Sequence, residues 1–85
     1  MQRSGKVAEI NRNRGMVAIA TEDDGFTIIE LLSEFELGIG DIMSWENGYG
    51  QGNEVYKNLT KGTSGEVYVQ NHSVNQAILR KQLRF

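Results

Sequence analysis

Few side chains in this sequence are suited to bond-making chemistry. His72 is the only histidine, and cysteine is absent. Ser73 follows His72, but a nucleophile needs a base that a third group orients, and no such group is evident. His72 reads more simply as the residue before a helix cap. The acidic run Glu22, Asp23, Asp24 lacks the regularly spaced oxygens of a calcium loop and reads as a solvated turn. The "GYGQG" stretch around Tyr49 has the glycines of a phosphate cradle. It lacks the helix start and the Lys-Ser/Thr pair that would complete one. No catalytic residue, metal or cofactor is therefore expected, and the chain is not read as an enzyme.

Binding chemistry remains. Lys6, Arg12 and Arg14 form the clearest basic cluster and are the expected phosphate contacts. Met16 is polarisable and unbranched, a soft stand-in for an aromatic ring. With Phe26 and Ile28 it forms the expected apolar platform. Tyr49, at the tip of a Gly-rich loop, could lie over a base or a partner surface. Trp45 alternates along a strand and reads as sheet packing.

Charge is segregated along the chain. Residues 1–14 carry +3, residues 15–56 carry −9 with no Lys or Arg, and residues 57–85 carry +4, for a net −2. A phosphate-binding surface needs clustered positive charge. Only the two ends can supply it, and only if folding brings them together.

The elements that would position these residues are short. With 85 residues, the chain is one domain that buries roughly 60–65% of its unfolded surface. Proline is absent, so Gly and Asn mark the turns. Five β-rich runs are expected at residues 5–11, 15–21, 26–32, 41–46 and 54–59. A sixth, "EVYVQN", follows the turn "TKGTSG". "EDDG" is the hairpin turn between the second and third. Residues 33–40 are a connector. Short strands with Gly-rich turns indicate an all-β barrel or sandwich. The sequence leaves open whether "TKGTSG" closes the barrel or extends one edge.

The tail has two readings. "SVNQ" fits a capping box, with Ser73 as cap and Gln76 three residues on, followed by strong helix formers. On a helix, Val74, Ala77, Ile78 and Phe85 share one side, and Leu79 and Leu83 fall on another. As a strand, Leu79 and Leu83 alternate with Arg80, Gln82 and Arg84. A short helix is the preferred reading. Its apolar and basic residues Leu79, Arg80 and Leu83, with Tyr49, are the candidate partner-binding set, because a helix apolar on two sides must cover both or expose one.

Residues 5–59 resemble a cold-shock domain, a five-stranded member of the OB-fold class. Gly5 and Val7 fit the family's opening strand, Asn11 its Asn, and Arg14-Gly15 its Lys-Gly turn. Asp24-Gly25 fits the next turn, Gly40-Asp41 and Trp45-Glu46 the fourth strand, and Val55 to Asn58 the fifth. The resemblance implies a small OB-like barrel, and residues 60–85, outside the family pattern, read as an added C-terminal strand and short helix. The resemblance also implies single-stranded nucleic-acid binding. The family's stacking aromatics, however, fall here at Glu9, Met16 and Ala18, and near Ile28 and Glu30. Stacking on rings contributes ~1–3 kcal/mol per base, so their loss removes most of that affinity.

The expected function is a non-catalytic binding module that contacts single-stranded RNA or DNA weakly. The alternative is a protein-interaction or self-associating module that keeps the fold without the nucleic-acid face. No apolar run reaches the ~20 residues of a membrane span, and the N-terminus lacks an apolar signal core, so a cytoplasmic chain is expected.

Overall fold

A computed structural model describes residues 2–21 and 25–83. The acidic-turn residues Glu22, Asp23 and Asp24, and the terminal Arg84 and Phe85, lie outside them.

Six strands close into one antiparallel barrel in the order β1-β2-β3-β6-β5-β4. They are β1 (Arg3–Asn11), β2 (Met16–Thr21), β3 (Phe26–Leu31), β4 (Ile42–Trp45), β5 (Gly52–Asn58) and β6 (Thr63–Val74). The β6 strand pairs with β3 on one side and β5 on the other, so the segment after "TKGTSG" closes the barrel. Closure gives each described strand a neighbour on both sides. The connector at 33–40 forms no helix. Its Phe35 lies against Gly65, where a Cβ would come within 2.6 Å of the ring, so the close approach requires glycine.

The inner core follows the period-two pattern of the strands. Val7, Val17, Ile19, Ile29, Met43, Trp45, Tyr56, Val67 and Val69 fill it, with Phe35 and Leu37 from the connector. Trp45 and Tyr56 stack with ring centroids 4.5 Å apart. Tyr56 is fully buried, and burial holds its hydroxyl well above the usual range, with nearby Glu54 adding to the effect.

A β-bulge at Ala8 shifts β1 between Val7 and Glu9. One extra residue flips every later side chain to the other face. Ile10 turns toward the core, while Glu9 and Asn11 move to the outside, opposite Ala18 and Met16.

The β2 run "MVAIA" is buried on both faces, and it acquires its outer cover from the tail. Met16, Ala18 and Ile28 form a second buried cluster with Val74, Leu79 and Leu83, and Phe26 packs at its margin. The tail is a 3₁₀ turn (Gln76–Ile78) followed by one helical turn, α1 (Leu79–Gln82). Leu79 and Leu83 are four apart, so they share one side of the turn.

The cap position differs from the sequence reading. The side chain of Asn75, not that of Ser73, accepts from the Ile78 amide. Val74 pairs with Phe26 and buries its side chain in the outer cluster, so the strand runs on through Ser73. Ser73 takes the bend with φ 58°.

Candidate nucleic-acid interface

The outer face of β1, β2 and β3 is where the resemblance puts base contacts. In register across β2 and β3 it presents Met16 beside Glu30, Ala18 beside Ile28, and Ala20 beside Phe26. The tail lies over the middle of this face. Met16 and Ile28 are buried, and Phe26 is half-buried. The expected platform of Met16, Phe26 and Ile28 is therefore already occupied by the chain's own Leu79 and Leu83. These two leucines, expected as partner contacts, pack onto the outer face of the chain's own barrel instead.

Two polar contacts fasten the tail. Asn11 Nδ2 donates to the Leu83 carbonyl at 2.8 Å, and Arg80 Nη1 pairs with Glu9 Oε1 at 3.0 Å. Both partners on β1 owe their position to the bulge. Glu9 thus faces Arg80, and Glu30, on the same side of the sheet, accepts from Gln70 Nε2 at 3.1 Å.

These contacts also bring the two basic ends of the chain together. Asn11 leads directly into the exposed turn carrying Arg12 and Arg14, and α1 carries the exposed Arg80 and Lys81. Arg12 Nη2 donates to the Leu37 carbonyl at 3.4 Å, which turns its guanidinium toward the connector. Lys6 does not join this group. It lies opposite Ala20 and Ile42. At ~3.3 Å per residue it stands ~20 Å along the strand from Arg12.

Tyr49 belongs to the opposite end of the barrel. Its ring lies 4.1 Å from the Arg3 guanidinium carbon and meets His72 edge-on at 5.5 Å. Trp45 Nε1 donates to the Gly48 carbonyl at 2.8 Å. His72 Nε2 lies 3.0 Å from the Gly50 carbonyl, which can only accept, so Nε2 carries a proton. In the neutral ring Nδ1 then accepts from the buried Thr27 hydroxyl at 2.9 Å. His72 and Arg3 pin the "GYGQG" loop over the barrel mouth.

Asp41 anchors the other side. Its Oδ2 accepts from Lys61 Nζ at 2.8 Å, Asn58 Nδ2 at 2.8 Å and the Gly38 amide at 2.9 Å. These donors, Lys61 first, lower its pKa from 3.8 to about 2. Among the described residues no three His, Asp or Glu side chains converge to hold a metal ion, and no helix is long and apolar enough to cross a membrane.

No protein-family description, curated protein or solved structure matches this chain.

The sequence admits a tail packed on the barrel without saying which strands it covers, although two signals point to them. Leu79 and Leu83 have the spacing of one helical face, and "MVAIA" is apolar on both sides of a strand. A strand of that kind needs a cover on each face.

Proposed function

We propose that this chain is a non-catalytic binding module on an OB-like, cold-shock-like barrel, and that it binds single-stranded RNA or DNA weakly through phosphate contacts. The contacts come from Arg14, Arg80 and Lys81, with Arg12 at the margin. The observation that carries this reading is the joining of the two basic ends by the Asn11–Leu83 and Glu9–Arg80 contacts. Met16 and Ile28 take no part while the tail is seated. Without stacking, binding is electrostatic and indifferent to sequence.

Three phosphate contacts on a single strand give a log–log salt slope of about −2, so affinity falls ~20-fold between 50 and 200 mM salt. Fluorescence anisotropy with a labelled mixed-sequence single-stranded RNA tests this. Arg14→Glu and Lys81→Glu should each flatten the slope and weaken binding. Salt-independent binding, or none at 50 mM salt, would overturn the reading.

A further inference from the structure

The outer face of β4, β5 and β6 has no cover among the described residues, and its chemistry is patterned. Three rows cross it in register. Ile42 and Leu59 occupy the first, joined by the bond from the Leu59 amide to the Ile42 carbonyl at 2.8 Å. Ser44, Lys57 and Ser64 form the second. Val55 and Glu66 form the third, and Glu46, just past the end of β4, joins them in lining an open groove. Beyond it Tyr68 stands beside Asn53 and Glu30. Lys6 flanks the first row beside Ile42. The apolar members are well exposed: Val55 and Leu59 at 56%, Tyr68 at 42% and Ile42 at 36%.

Charge changes sign along the strands. Lys6 and Lys57 lie toward one end, and Glu46, Glu66 and Glu30 toward the other. Neither Lys57 nor Glu66 is in an ion pair within its own chain among the described residues.

We propose that this face is a homodimer interface whose occupant is a second copy of the chain. A two-fold axis lying in the interface and running across the strands sets each row of one copy over the reversed row order of the other. The second row then meets the third. Lys57 lies over the partner copy's Val55 with a glutamate on either side, one strand spacing of ~4.8 Å away. Its aliphatic stem covers the valine while its ammonium reaches a carboxylate. Ser64 comes opposite Glu66, while Ser44 is buried and makes no contact across the face. The pattern is self-complementary, as an isologous contact requires.

Size sets the strength. Three strands by four rows span about 14 × 20 Å, roughly 300 Å² per copy. That is below the standard size of specific interfaces, so dimerisation is weak and depends on concentration. The proposal is independent of nucleic-acid binding, which uses the tail side of the barrel.

Sedimentation velocity on the full chain across micromolar to millimolar concentration is the test, with amide spectra confirming that each variant is folded. The wild type should shift from one chain to two as concentration rises. Lys57→Glu should weaken the dimer by ~10-fold or more through like-charge contact. Val55→Asp should abolish it. The double variant Lys57→Glu with Glu66→Lys should restore it. A wild type that stays monomeric throughout would overturn the proposal. So would a dimer that survives Val55→Asp, or that Ile78→Asp on the tail abolishes instead.

Discussion

The two outer faces of this barrel are built from similar strands and end differently. Over β1, β2 and β3 the apolar residues Met16, Ala18 and Ile28 are closed off by Leu79 and Leu83 of the same chain. Over β4, β5 and β6 the apolar residues Ile42, Val55 and Tyr68 remain exposed among charges. The reason is in the side chains. Met16, Ala18 and Ile28 form a continuous apolar strip, and such a strip is costly to leave in water. Val55 and Tyr68 are separated by Glu66 and Asn53, and Lys57 lies beyond Val55, so that face carries no continuous apolar strip and offers directional charge contacts. One face is finished by folding, and the other is available to a partner.

Variants that break this contrast should differ in size of effect. The largest is on the covered face. Leu83 is fully buried, so Leu83→Ala should cost about 2–4 kcal/mol in urea unfolding by transfer and cavity terms. A cost under ~0.5 kcal/mol would mean that the tail is not packed there. Next is Asn11→Ala, which leaves the Leu83 carbonyl without its donor. It should cost about 1–2 kcal/mol in the same measurement. The matching change on the open face, Val55→Ala, should stay within ~0.5 kcal/mol for the monomer, as exposed positions do.

A further contrast appears in acid. The pKa of Asp41 is lowered from 3.8 to about 2 by Lys61, Asn58 and the Gly38 amide. A group depressed in the folded state stabilises fully above its unfolded pKa, and that stabilisation is lost as pH falls through the folded one. Thermal melts should therefore fall between pH 4 and pH 2, and Asp41→Asn should flatten that limb. Asp41 is remote from the tail contacts, so the Asn11→Ala penalty should be unchanged in the Asp41→Asn background.

Much of the fold was legible locally. β-branched runs such as "FTIIEL" and turn signals such as "RNRG" and "TKGTSG" act over a few residues, and the strands fall where they indicate. The tail was less legible, because its cap depends on Val74 reaching Phe26 across the sheet. Legibility was poorest at the site. Arg12 and Arg14 stood out as a basic turn, but their convergence with Arg80 and Lys81 rests on a bond spanning 72 residues. Glu9 falls where the resemblance puts a stacking ring, and it pairs with Arg80 because a one-residue bulge turns it outward. Lys6 read as part of the same cluster and lies at the far end of β1.

The most direct test of the central claim is an amide-resolved titration of the labelled protein with a mixed-sequence single-stranded RNA at low salt. Phosphate contact beside a seated tail predicts salt-sensitive shifts at Arg12 to Gly15 and at Arg80 and Lys81, with Ala18 and Ile28 unmoved. Shifts centred on Ala18, Ile28, Leu79 and Leu83 would contradict it, because they would mean that RNA displaces the tail and takes the covered face.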